Sequence, residues 1–159
     1  MIWWLLACTG TPAGDDTAAE ASPCEAGDNP TLTIGTGEYS YEEMAPGTEL
    51  ELIHGPQGGY HVILAVEATY LDASSRWTAK LVGTLDGVEA AHTWPYVDAR
   101  CNESRGTLQG WNLFLIFDEG WAPEDIHDRD AEVDVTVTDA AGTPVSASTS
   151  IHIWDPTLE

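Results

Sequence analysis

Val133-Asp134-Val135-Thr136-Val137-Thr138-Asp139-Ala140-Ala141-Gly142-Thr143-Pro144-Val145-Ser146 decides the fold of this chain. Valine alternates with Asp and Thr at a period of two, which puts all the apolar side chains on one face of an extended segment. Asp139 to Gly142 supplies the turn residues, and Val145 to Trp154 returns with Ser146, Ser148, Ser150 and His152 on its outward face. A strand, a turn and a second strand, each with one apolar face, require a further apolar layer to cover them.

The same period recurs upstream. Leu50 and Leu52 alternate with Glu49 and Glu51; Val62, Leu64, Val66 and Ala68 share one face, with His61, Ile63, Ala65 and Glu67 on the other. Trp77, Ala79, Leu81 and Leu85 share a face, Asp86-Gly87 forms a two-residue turn, and Val88 to Trp94 returns as the hairpin partner. Residues 111 to 117 (Trp-Asn-Leu-Phe-Leu-Ile-Phe) are apolar on both faces and predict a central strand. Residues 31–34 and 38–44 are weaker strand candidates, and only 122–130 could form a short turn of helix. Seven to nine short strands at this spacing predict an all-β, antiparallel β-sandwich over residues 31–156, with a closed barrel as the alternative. The 133–146 segment also resembles the penultimate hairpin of bacterial immunoglobulin-like domains, which implies an immunoglobulin-like sandwich.

The N-terminus has a different character. Residues 2–7 are wholly apolar, far short of the roughly 20 a membrane-crossing helix requires, and read as a targeting segment. Leu5-Leu6-Ala7-Cys8 resembles the lipobox of bacterial lipoproteins. That resemblance implies that residues 1–7 are a signal peptide and that Cys8 is acylated, with palmitate or a similar chain, as a membrane anchor. Thr9 after the Cys implies delivery to an outer membrane, so the expected location is the cell envelope, facing periplasm or surface. Residues 8–30, rich in Pro, Gly, Ala, Ser and acids, cannot bury enough surface to offset their ordering entropy and read as a tether. With Cys8 assigned to lipid, the other two cysteines, Cys24 and Cys101, form the expected disulfide of an exported domain. Unpaired thiols or metal ligands are the alternatives, although neither lies in a Cys-x-x-Cys spacing.

Composition excludes one class of partner. With 27 acids against five basic residues, the formal net charge is −22, and a nucleic acid would be repelled. Contact with a membrane is expected through the lipid alone. The acid excess itself reads as solubility or salt adaptation, with divalent-cation binding as the sharper alternative.

His54-Gly55-Pro56-Gln57-Gly58-Gly59-Tyr60-His61 resembles a motif of uncharacterised bacterial lipoproteins of the myxobacterial kind, in which Gly-Pro-Gln-Gly-Gly precedes an aromatic and a His. The resemblance implies fold and address rather than activity. Physically the glycines and proline predict a tight turn, flanked by two imidazoles that could meet across the strands. His54 and His61, with His152 as third ligand, are therefore the candidate transition-metal site. Asp118, Glu119, Asp125, Asp128 and Asp130, in an acidic loop, are the candidate calcium ligands. Trp94 and Trp121, each beside a proline-containing loop, are the candidate sugar-stacking pair, whereas Trp77 and Trp111 read as core. Asn102-Glu103-Ser104 matches a glycosylation acceptor, which in a bacterial protein carries no weight.

No nucleophile elbow, phosphate-cradling loop or two-His helix motif is present in the sequence. The sequence-level expectation is a lipid-anchored, non-catalytic interaction or structural module for a protein or glycan partner, needing no cofactor. A metal-binding domain and a carbohydrate-binding module are the rivals.

Overall fold

The computed structural model describes residues 24–158, and Cys8 and the expected signal segment 1–7 lie outside them. Twelve strands follow in order: β1 (Thr31–Thr36), β2 (Glu42–Glu43), β3 (Thr48–Glu51), β4 (Ile53–His54), β5 (Tyr60–Thr69) and β6 (Trp77–Leu85). Then come β7 (Val88–Thr93), β8 (Tyr96–Val97), β9 (Arg100–Asn102) and β10 (Thr107–Ile116). A single helical turn, α1 (Pro123–Ile126), precedes β11 (Arg129–Thr138) and β12 (Pro144–Trp154). None of this is a helix long and apolar enough to cross a membrane.

The strands form two packed sheets, an all-β sandwich. One is ordered β2-β1-β5-β10-β9 with β4 added to β5; the other is β3-β12-β11-β6-β7 with β8 added to β6. The orders β1-β5-β10-β9 and β12-β11-β6 correspond to strands A-B-E-D and G-F-C of an immunoglobulin sandwich, with β7 added beside C. Alternation explains which faces meet. Val62, Leu64 and Val66 of β5, Leu81 of β6, and Val133 and Val135 of β11 are all fully buried in one core. Burying each such side chain is worth about 1.5–3 kcal/mol. Trp77, at the start of the strand equivalent to C, is fully buried, and its indole N–H donates to the Asp72 carbonyl at 2.7 Å.

The hairpins are those their turns dictate. Asp86 (φ 50°) and Gly87 (φ 80°) both lie in the left-handed region, the geometry whose twist suits a two-residue hairpin. In the turn after β11, the buried Asp139 carboxylate accepts from the N–H groups of Thr143 (2.7 Å) and Asp72 (2.9 Å). It thereby ties that hairpin to the β5–β6 loop.

The structure corrects three expectations. Among the described residues there are twelve strands rather than seven to nine, because β2, β4, β8 and β9 are two or three residues long and carry no readable alternation. The second sheet is mixed, since β3 runs parallel to β12. Trp111 is only half-buried: the ladder between β10 and β5 shifts between Gly110 and Leu113, and Arg100 lies over the indole at 5.4 Å. The same segment is the expected central strand, between β5 and β9, with Phe114 and Ile116 standing 37% and 41% exposed on the outside of their sheet.

The segment 48–54 begins in one sheet and ends in the other. Thr48–Glu51 pairs with β12, the Leu52 N–H still donates to the Trp154 carbonyl (2.8 Å), and Ile53–His54 pairs with β5. On the opposite flank Ala91 of β7 bridges Phe117, just past β10, and the Asp118 N–H donates to the Ala90 carbonyl (2.9 Å). One end of the sandwich is thus hydrogen-bonded around both flanks, part-way to the closed barrel the sequence left open.

The other end is clamped covalently. Cys24 and Cys101 are joined, with Cα atoms 5.7 Å apart across 77 residues of sequence, and the Gly27 N–H donates to the Tyr70 carbonyl (3.0 Å). Residues 24–30, whose composition matches the tether, are therefore attached to the body of the domain. A loop of that length is worth about 4 kcal/mol in the chain-entropy account of disulfides. We expect C24S/C101S to lose about 2–5 kcal/mol in urea unfolding, with the midpoint of reduced wild type falling to match the variant.

Candidate functional site

Strand direction sorts the sequence candidates to the two ends of the sandwich. β1 starts opposite Thr69 at the end of β5, so residue 24 and the disulfide share an end with the β5–β6 and β11–β12 loops. The far end carries the 55–59 turn, the β6–β7 turn, the 117–128 loop and residues 155–158. The ten residues of β5 separate the two ends by roughly 33 Å.

At the far end the Gly55–Gly59 turn closes on itself, Gly55 N–H to Gly59 carbonyl at 2.7 Å and Gly58 N–H to Gly55 carbonyl at 3.0 Å. Gly58, at φ 87°, takes the left-handed conformation that glycine adopts at little cost. The β4–β5 register sets His54 opposite Tyr60 and Ile53 opposite His61. Paired residues share a face and neighbours alternate, so the two histidines point to opposite sides of their sheet. The expected meeting of His54 and His61 does not occur. His61 instead lies against the Phe114 ring at 4.6 Å on the outer face, where burial lowers its pKa.

His54 has a partner that sequence reasoning missed. Its Nε2 donates to Oδ2 of Asp155 at 2.7 Å, and its ring meets that of Tyr60 edge-on at 5.0 Å. Asp155 is fully buried. Its other oxygen accepts from the N–H (2.8 Å) and hydroxyl (2.7 Å) of Thr157, and its own N–H donates to Nδ1 of His127 at 2.9 Å. Burial pushes the Asp155 pKa up, but the bonds from Thr157 and His54 outweigh it and hold the carboxyl below the ordinary value. Asp155-Pro156-Thr157 is a local Asx turn, a signal carried by residue types alone that the sequence reading did not use. Its link to His54, 101 residues away, carries no such signal.

The third metal candidate, His152, lies elsewhere, on the outer face of the second sheet. Its Nδ1 pairs with Asp130 (2.9 Å) and its Nε2 with Asp128 (3.4 Å). The hydrogen bond it donates to Asp130 and the charges of Asp130, Asp128 and Glu49 raise its pKa against the opposing effect of burial. The calcium candidates are dispersed in the same way. Asp118 pairs with His92 (2.9 Å), Asp125 accepts from the Ala122 N–H at the start of α1 (3.3 Å), Asp128 and Asp130 face His152, and Glu119 is exposed. Among the described residues no three His, Cys, Asp or Glu side chains are grouped to hold a metal ion.

The aromatic pair is also redistributed. Trp121 packs against the core, while Trp94 is 63% exposed and lines a groove with Tyr96, itself 71% exposed. Tyr96 was missed because its strand is two residues long. The described residues thus carry a hydrogen-bonded node at the far end and an aromatic-walled groove on the second sheet. Compared with known proteins, the chain matches no family model and no curated protein.

Two outcomes follow from this geometry. D155A leaves the His54 and Thr157 donors without their acceptor and should cost about 3 kcal/mol in urea unfolding; H54Q, at a half-exposed position, should cost about 1 kcal/mol. The pH dependence has two signs. Asp155 is depressed, so its contribution is complete above the ordinary 3.8 and disappears as pH falls through the lower folded value. His152 is raised, so its contribution is complete below 6.5 and disappears as pH climbs through the higher folded value. Thermal melts should show H152Q lacking the wild-type loss of stability above neutrality, and D155A lacking part of the acid limb.

Proposed function

We propose that this chain is a bacterial envelope lipoprotein, anchored through an acyl chain on Cys8, whose sandwich is a non-catalytic interaction module. The observation that carries the reading is the Cys24–Cys101 bond. Of the three cysteines in the sequence it accounts for two, and Cys8, in the lipobox-like Leu5-Leu6-Ala7-Cys8, is the third. The bond also supports an oxidising compartment, since glutathione and thioredoxin keep cytosolic thiols reduced.

The arrangement of ends supports a direction for the module. The anchor would enter at the disulfide-bearing end, leaving the 55–59 turn and the 117–128 loop about 33 Å further out, toward a partner. The net charge of −22 would keep the body away from anionic headgroups, so the lipid alone would hold it at the membrane.

Mass spectrometry of the membrane fraction tests the anchor. Mature protein should begin at an acylated Cys8, and C8S should appear in the soluble fraction with an unchanged melting temperature. An unmodified Met1 on mature, membrane-free wild type would overturn the reading.

A further inference from the structure

Trp94-Pro95-Tyr96 places two aromatic residues either side of a proline where the chain passes from β7 into β8. Such residues ordinarily bury their rings, yet these stand 63% and 71% exposed. The backbone beneath them is fastened. The Pro95 carbonyl accepts from the Ala79 N–H at 2.9 Å, and Tyr96 and Val97 pair with Thr78 and Trp77 of β6. The Trp94 ring meets His92 edge-on at 4.8 Å, and His92 is held in turn by Asp118 at 2.9 Å. Two exposed rings on an anchored segment lose little further freedom on meeting a ligand.

Beside them lies a groove of about 380 Å³ on the outer face of the second sheet. Its floor comes from two adjacent strands, Thr78 opposite Thr138 and Lys80 opposite Thr136. Lys80 is the only lysine in the sequence, and among the described residues it enters no ion pair. The site therefore offers apolar ring faces on one wall, and three hydroxyls and an ammonium on the floor.

We propose that this groove binds a neutral oligosaccharide. A pyranose has an apolar C–H face that can cover an aromatic ring and a rim of hydroxyls that can exchange hydrogen bonds with Thr and Lys. The Thr136 hydroxyl is already paired with that of Ser146 (2.8 Å), but an apolar peptide covering the same floor would desolvate Lys80 and the hydroxyls of Thr78 and Thr138 without pairing them, which is costly. A polyanionic chain would approach against a net charge of −22. Lys80 then acts as a hydrogen-bond donor to sugar oxygens rather than as an ion-pairing group. The groove is separate from the far end and does not depend on the lipid anchor.

The test is calorimetric titration of the full chain in detergent micelles with cellohexaose, maltohexaose, mannohexaose and chitohexaose, with oligogalacturonate as the charged comparator. At least one neutral hexaose should bind at millimolar concentration or below and shift Trp fluorescence. W94A and Y96A should each weaken that binding about tenfold, which corresponds to about 1.4 kcal/mol. K80M should weaken it several-fold, and F114A, on the opposite sheet, should leave it unchanged. All four positions are exposed, and matching melting curves would show that the variants fold. Failure of all four neutral hexaoses, binding undiminished in W94A and Y96A, or binding of the oligogalacturonate alone would each overturn the proposal. None of these results bears on acylation of Cys8, which the membrane-fraction measurement reads separately.

Discussion

The apolar layer shared by β5, β6, β10 and β11 sets where every other element can lie. Each of these strands presents alternate side chains to one interior, and Val62, Leu64, Leu81, Leu115, Val133 and Val135 have no exposure there. Their opposite faces are consequently free to carry polar groups. On the first sheet Glu67 uses that freedom, accepting from Arg105 (2.8 and 3.1 Å), Thr107 (2.9 Å) and Gln109 (2.8 Å). Burial pushes the Glu67 pKa up, but these bonds and the Arg105 charge hold it below the ordinary value. On the second sheet the same freedom yields the row of threonines below Trp94 and Tyr96. Both polar surfaces follow from one interior being satisfied first.

Two packed sheets leave edges, and exposed edges invite unwanted pairing. Here the edges are managed differently at the two ends. At the far end, 48–54 crosses between sheets while Ala91 meets Phe117, so the hydrogen bonding continues around both flanks. The buried Asp155 sits where that closure must be held. It joins the end of β12 to His54 on the crossing segment and, through its backbone N–H, to His127 ahead of β11. At the other end the work is covalent, with Cys24–Cys101 joining the start of the domain to the short strand β9.

Much of the fold was legible because a strand writes its burial pattern locally. The run 133–138 alternates in sequence and in the folded chain, and Asp86-Gly87 and Asp139–Gly142 turn where their chemistry says they should. The segment 111–117 was read less well. Its apolar residues on both faces predicted a central strand, and β10 does lie between β5 and β9, but the register shift after Gly110 leaves Trp111 half-buried and Phe114 outside. Two-residue strands such as Tyr96–Val97 have no period to detect. The candidate sites fared worse for a related reason. Flanking one turn made His54 and His61 look like neighbours, whereas their spacing of seven and the pairing register assign them opposite faces.

By itself the sequence determined the all-β class, the main hairpins, the inward side chains and an acidic surface, since these follow from local period, turn chemistry and composition. It also singled out, through a lipobox-like resemblance, which two cysteines remain to pair. Only the tertiary structure decided the strand order, the parallel pairing of β3 with β12, the Asp155–His54 contact and the grouping of Trp94 and Tyr96 with threonines from two other strands. The physical reason is reach. Burial and turns depend on residues a few positions apart, whereas these partners lie between about 16 and 100 residues apart and meet only through long-range strand pairing and, for Asp155 and His54, the packing of the two sheets.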